Sequence, residues 1–101
     1  MKRVVLTVAL VAGFAALPAW ANQALATSKA CMACHAVERK LVGPSYKDIA
    51  AKYKDDKTAV DKLAAKIQKG GSGVWGPVPM PANPQVSEAD AKTLATWVLG
   101  L

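Results

Sequence analysis

Residues 31–35 read Cys31-Met32-Ala33-Cys34-His35, and they contain both cysteines and the single histidine of the chain. On a helical turn, residues three apart lie on the same side, so the two thiols would face one direction. Cys-x-x-Cys-His is the signature of covalent haem attachment, in which the thiols form thioethers with the two vinyl groups of haem. The stretch predicts one haem c attached at Cys31 and Cys34, with the His35 imidazole as an axial iron ligand.

Three other uses of paired cysteines fit the chain less well. A closed zinc site needs four protein ligands, whereas the chain offers two cysteines and one histidine. A disulfide between Cys31 and Cys34 would close a very small loop and add little stability. A thioredoxin-like redox pair would follow a β-strand, and no strand pattern precedes Cys31. A haem-free thiol–disulfide protein is kept as an alternative.

The N-terminal residues have the pattern of a secretory signal. Residues 1–3 carry two positive charges, residues 4–17 are almost wholly apolar, and Ala19-Trp20-Ala21 offers small residues at a cleavage site. The apolar run is about 14 residues long, shorter than the roughly 20 that span a bilayer. We therefore predict that residues 1–21 are cleaved, that residues 22–101 form one domain in the periplasm, and that the mature form has no membrane span.

The domain predicted for residues 22–101 is small and mildly basic. Without Lys2 and Arg3 it has 11 basic and 7 acidic residues, and only four aromatic residues remain: Tyr46, Tyr53, Trp75 and Trp97. Domains of this size usually need disulfides, a bound metal or a cofactor to complete the core. The lysines fall at helical spacing without interleaved aromatic residues, so a nucleic-acid partner is not expected. The positive charge would favour acidic protein partners.

The periodicity of apolar residues predicts an all-α fold. Four segments, at about 23–34, 46–54, 58–69 and 88–99, have a helical pattern, and none alternates like a strand. Asn22 and Ser87 are the expected N-caps of the first and last helices. Helices 1 and 4 would cross at the edge of the haem.

Residues 70–86 contain four glycines and four prolines, so they form an irregular loop rather than a helix. The loop holds Met80, the only methionine after the predicted signal other than Met32, which lies within the attachment turn. Pro79 and Pro81 restrict the backbone on both sides of Met80. Met80 is the expected second axial ligand, because the chain has no second histidine; the alternative is that Met80 fills a gap in the core.

Four stretches, "CMACH", "VGPSYKDIAAKY", "GVWGPVPMPANPQV" and "TLATWVL", together resemble the small bacterial class I monohaem cytochromes c of the c-551/c-552 type. The resemblance covers nearly all of residues 22–101. It implies about four helices wrapped around one haem c, with His35 and Met80 as axial ligands. It also implies that the Pro44 carbonyl accepts a hydrogen bond from His35, that Trp75 reaches a haem propionate, and that Asn83 orders the methionine loop. For Trp75 and Asn83, packing alone is the alternative.

The resemblance implies a monomeric electron carrier and not an enzyme. Nitrite reductases, terminal oxidases and quinol-oxidising complexes are the partners that it suggests. If Met80 did not bind the iron, the alternative would be a haem protein with an open iron site, acting as a gas sensor or peroxidase. Ala82 departs from the pattern, because relatives often have a second proline there, and the loop could then open more readily.

Overall fold

The computed structural model describes residues 19–101, with side chains from residue 22 onward. It contains four α-helices, α1 (Ala19–Ser28), α2 (Tyr46–Lys52), α3 (Ala59–Lys69) and α4 (Glu88–Leu99). A single turn of 3-10 helix, Cys31–Ala33, lies between α1 and α2. Residues 19–101 include no strand beyond isolated bridges, so the predicted all-α class is confirmed. Most of the predicted signal, residues 1–18, lies outside the described residues.

The first helix differs from its prediction at both ends. It begins at Ala19 instead of after an Asn22 cap, and it ends at Ser28 instead of continuing to Cys34. Ala30 has a left-handed backbone with φ of 62°, a conformation that terminates helices and that alanine rarely adopts. Because no glycine stands at this position, the helical pattern gave no sign of the break. The break separates the Cys31–Ala33 turn from α1.

Two serine caps fix where α2 and α4 begin. The Ser45 hydroxyl accepts a hydrogen bond from the Asp48 backbone N–H at 3.1 Å, and the Ser87 hydroxyl accepts one from the Asp90 N–H at 3.1 Å. Such bonds satisfy N–H groups that a helix start leaves free. The prediction for α4 is therefore confirmed to the residue, whereas α2 ends at Lys52, two residues earlier than expected.

Helix α4 is the centre of the packing and contacts each of the other three helices. Its Leu94 and Val98 are buried, and the partly buried Leu25 and Met32 pack against the same core. Among the described residues, six of the twelve buried apolar positions are alanine, and the larger ones include Tyr46, Leu94 and Trp97. The many alanines leave room for a large apolar group. Within residues 19–101, no helix is long and apolar enough to span a membrane.

Candidate haem site

A cavity of about 440 Å³ opens between the helices and the loop of residues 70–86. This volume falls within the roughly 300–1,000 Å³ that is usual for small-molecule and cofactor sites. Of the seven predicted site residues, Asn83 does not line the cavity and the other six do: Cys31, Cys34, His35, Pro44, Trp75 and Met80. Much of the remaining lining is apolar and includes Ile49 and Leu94. The fold thus brings side chains from distant parts of the sequence to one site.

The two cysteines lie on one tight turn at the cavity wall. The Cys31 carbonyl accepts hydrogen bonds from the backbone N–H groups of Cys34 at 3.2 Å and His35 at 3.1 Å. Both cysteine side chains are half-buried. Burial raises the pKa of the Cys31 thiol, whereas redox-active Cys-x-x-Cys pairs rely on a lowered thiol pKa. The turn thus presents both cysteines to the cavity.

The His35 imidazole is buried, and the Pro44 carbonyl oxygen lies 2.7 Å from its Nδ1 atom. A carbonyl oxygen only accepts hydrogen bonds, so Nδ1 carries the proton and donates it. In the neutral imidazole, the lone pair is then on the other ring nitrogen, Nε2. This is the arrangement usual for a histidine that binds a metal, because the second nitrogen is held by a carbonyl or carboxylate.

Gly43 is a site residue that the sequence reading missed. Its backbone passes so close to His35 that an added Cβ would lie 2.5 Å from Cε1 and 2.9 Å from Nδ1 of the imidazole. The Gly43 N–H also donates a 2.8 Å hydrogen bond to the Cys34 carbonyl. Only a residue without a side chain fits here, and the sole sequence signal was a glycine directly before Pro44.

Two further missed glycines hold the Met80 backbone. The Met80 N–H donates to the Gly71 carbonyl at 2.8 Å, and the Gly71 N–H donates to the Met80 carbonyl at 3.0 Å. Gly70, with φ of +68°, lies so close that an added Cβ would overlap the Met80 carbonyl oxygen and lie 2.7 Å from the Ala82 nitrogen. From the sequence, these two glycines only contributed to the prediction of an irregular loop over residues 70–86.

Asn83 joins the methionine loop to the end of α3. Its side-chain Nδ2 donates to the carbonyls of Ile67 at 3.1 Å and Pro81 at 3.2 Å. Its backbone N–H also points to the Ile67 carbonyl, at 3.2 Å. These bonds fix the chain three residues beyond Met80.

Trp75 lies at the edge of the cavity and is 45% exposed. The Lys52 Nζ atom, from the end of α2, lies 5.3 Å from the centre of the indole ring. This distance is within the range of a cation–π interaction. The contact links α2 to the loop of residues 70–86 at the cavity margin.

The donor set suits haem better than a bare metal ion. Within residues 19–101, no three histidine, cysteine or acidic side chains form a cluster that could hold an ion. The cavity instead presents one imidazole and one thioether, which are axial ligands of haem iron in cytochromes c. Haem brings the remaining four nitrogen ligands in its porphyrin ring, so two protein donors are enough.

These features define a class: small helical domains that hold a haem covalently on a Cys-x-x-Cys-His turn. Comparison with known proteins agrees. The Cytochrome c family model matches residues 20–101, so the chain belongs to the cytochrome c family.

Several relatives are similar over most of the chain. Cytochrome c-551 of Allochromatium vinosum is 54% identical over 83 residues, which cover 82% of this chain and 88% of that protein. Cytochrome c-552 of Nitrosomonas europaea is 56% identical over 92 residues, which cover 91% of this chain and 85% of that protein. The crystal structure of wild-type Nitrosomonas europaea cytochrome c552 matches with a TM-score of 0.77 and 58% identity, covering 78% of this chain and 98% of that one.

The predicted resemblance to the c-551/c-552 type is therefore confirmed. The chain has the class I cytochrome c fold and carries one covalently bound haem c. It is a small electron-transfer haem protein, and cytochromes c of this kind are typically carriers rather than enzymes.

Proposed function

We propose that this cytochrome carries one electron at a time between respiratory proteins of the periplasm, on an iron bound by His35 and Met80. The observation that carries the proposal is that both side chains line one cavity, each beside a backbone contact that fixes it. The Pro44 carbonyl holds His35, and Gly71 holds Met80. Haem supplies the ferrous–ferric couple, and a methionine ligand beside histidine raises its potential.

Each ligand has a distinct task in such a carrier. The bond to Pro44 keeps the proton on Nδ1 of His35, so Nε2 faces a metal as a neutral donor. The Met80 thioether excludes external ligands from the second axial position. Apolar walls such as Ile49 and Leu94 keep water out and lower the local dielectric constant. A gas sensor or a peroxidase would have to bind its own ligand at the axial position of the iron that Met80 takes in this proposal.

Replacing Met80 by leucine tests the ligand assignment. We expect Met80→Leu to keep its haem but lose the weak far-red band of a methionine–ferric iron bond, because leucine has no sulfur. Its reduction potential should fall, and added imidazole should bind the iron readily. Met32→Leu is the matched control, since Met32 is the other partly buried methionine near the site, and it should keep the band.

The control and the variant together separate the two functions. If Met80→Leu keeps the far-red band and the potential of the parent protein, Met80 is not the ligand. If the parent protein itself is high-spin and binds imidazole at once, the open-iron alternative replaces the carrier.

Export to the periplasm rests on residues 1–21. Cleavage after Ala21 would shorten α1 by its first three residues and leave Leu25 and Ala26, which pack in or against the core. The mass of the exported protein tests this: it should equal residues 22–101 plus one haem. A mass that still includes residues 4–17 would overturn it.

Partners would meet the cytochrome at the cavity margin. Lys40 and Lys66 line the cavity, and Lys52 lies over Trp75 beside it. Their charges favour an acidic surface on the partner. For the monomer we propose three classes of redox partner: nitrite reductases, terminal oxidases and quinol-oxidising complexes. Stopped-flow electron transfer should slow as salt rises, and a rate independent of salt would exclude this charge steering.

A further inference from the structure

Tyr46 lies directly on the imidazole of His35. The two ring centres are 5.3 Å apart, and the ring planes are inclined by only 21°. Tyr46 is itself buried, with 5% of its surface exposed. The edge of Trp97, from α4, packs against Tyr46 at 5.3 Å and 68°. Tyr46 is therefore held between the histidine and the central helix.

The backbone also ties Tyr46 to the chain that follows His35. Tyr46 is the first residue of α2, and its N–H donates a 2.9 Å hydrogen bond to the Ala36 carbonyl. The next N–H, of Lys47, donates to the Val37 carbonyl at 3.1 Å. The position of the Tyr46 ring relative to His35 is thus set by the start of α2 and not by side-chain packing alone.

The stacked Tyr46 ring restrains the plane of the His35 imidazole from one face, which the hydrogen bond to Pro44 does not do. The bond from Nδ1 to the Pro44 carbonyl holds the ring at one atom, so by itself it resists rotation of the imidazole plane through that single contact only. The Gly43 backbone limits movement at the Cε1 edge of the ring. Tyr46 lies nearly parallel to a face of the ring, with the two centres 5.3 Å apart, so it limits how far the imidazole plane can tilt on that side.

We propose that Tyr46 is a positioning residue that fixes the plane of the His35 imidazole. The inference rests on the proposed function, because it assumes that His35 binds the haem iron. In a low-spin ferric haem with histidine and methionine ligands, the orientations of the imidazole plane and of the methionine lone pair together determine which iron orbital holds the unpaired electron. The proton shifts of the four haem methyl groups in the oxidised protein therefore change when the imidazole plane turns while Met80 stays in place.

The test compares three holoprotein variants by proton NMR. Tyr46→Leu removes the flat ring and keeps apolar bulk, so the pattern of haem methyl shifts should change. Tyr46→Phe keeps the ring and should restore the parent pattern. Tyr53→Leu is the control, because Tyr53 is the other tyrosine that lines the cavity and it is not stacked on His35. It should lower stability without changing the pattern.

A parent-like pattern in Tyr46→Leu would overturn the inference, and so would equal changes in Tyr46→Leu and Tyr53→Leu. If Tyr46→Leu does not accumulate, Tyr46→Met is measured in its place with the same two outcomes, since methionine fills similar space without a plane. A failure of the proposed function would be seen in the parent protein itself. Without any substitution, it would then lack the low-spin spectrum of a haem with histidine and methionine ligands.

Discussion

Single glycines decide how closely the backbone approaches the two proposed iron ligands. Gly43 lies against the His35 ring, and Gly70 lies against the Met80 carbonyl. At both positions a methyl group would occupy space that the structure gives to the ligand residue or its backbone. The glycines therefore contribute to the site although they offer no chemical group to it.

We expect Gly70→Ala to loosen Met80. The added Cβ would overlap the Met80 carbonyl oxygen, so the loop must shift, and overpacking of this kind costs about 1–3 kcal/mol. The variant should bind imidazole at lower concentrations than the parent protein and should unfold at lower denaturant concentration. Imidazole titration of the oxidised protein and chemical denaturation measure the two effects.

Gly73→Ala is the matched control for that variant. Gly73 also has a positive φ, +101°, but an added Cβ would meet no atom within 4 Å. Alanine there bears only the backbone strain, on the order of 1–2 kcal/mol. Equal imidazole affinity in the two variants would show that strain, and not contact with Met80, explains the effect.

The reactive side chains were predictable from sequence because their chemistry limits the choice. The chain offers one histidine and two cysteines, so the amino-acid sequence alone was enough to propose Cys31, Cys34 and His35, and the structure places all three at one cavity. The supporting glycines were not predictable in the same way. Gly43 and Gly70 matter because of close approaches across a turn or a loop, and no local pattern records such a distance.

At the scale of elements, the start of α3 depends on a side chain outside the helix. Thr58 was the predicted first residue of α3, but the helix begins at Ala59 and the Thr58 side chain does not cap it. Instead Asp56 accepts hydrogen bonds from the Thr58 N–H at 2.8 Å and the Thr58 hydroxyl at 2.6 Å, and it pairs with Lys62 at 2.8 Å. These bonds fix the turn that leads into α3.

The same bonds make the start of α3 sensitive to acid. The hydrogen bond from Lys62, followed by those from Thr58, lowers the pKa of Asp56 to about 2, from an ordinary value of about 3.9. Because the folded pKa is the lower one, the stabilisation is fully present above about pH 4 and is lost as the pH falls through about 2.

We therefore expect Asp56→Ala to lower the denaturation midpoint at pH 7 and to have a much smaller effect at pH 2. Hydrogen exchange should be faster for the first amides of α3 in this variant at neutral pH. Asp55→Ala is the control, because it removes the neighbouring carboxylate, which is exposed. If both variants behave alike, the contacts of Asp56 do not anchor α3.

Helix boundaries were predictable where a local signal marks them. Ser87 and the periodic residues after it gave α4 its observed start and end. The end of α1 was not predicted, because the residue with the left-handed backbone is Ala30 and not a glycine, which would have marked the helix end in the sequence. The early end of α2 at Lys52 was missed for a similar reason, since residues 53 and 54 continue the helical pattern in sequence but form a turn in the structure.

At the scale of the molecule, the haem cavity is large relative to the protein core. Six of the twelve buried apolar positions that the structure describes are alanine, while the cavity measures about 440 Å³. An unfilled cavity leaves apolar lining residues such as Ile49 and Leu94 without packing partners, which destabilises the fold. A typical domain has only about 5–15 kcal/mol of stability in total. Haem is therefore expected to complete the core as well as carry the electron.

A variant that cannot attach haem tests this dependence. In the double variant Cys31→Ser, Cys34→Ser, we expect most of the helical circular dichroism signal of the holoprotein to be lost at 25 °C. The reason is that the side chains lining an unfilled cavity have too few packing contacts. Added free haem should restore part of it, since His35 and the apolar lining are unchanged and only the covalent tether is missing. Partial recovery would separate the filling of the cavity from the effect of the cross-link. A fully helical double variant without haem would mean that α1–α4 pack well enough alone, and that haem serves electron transfer without building the fold.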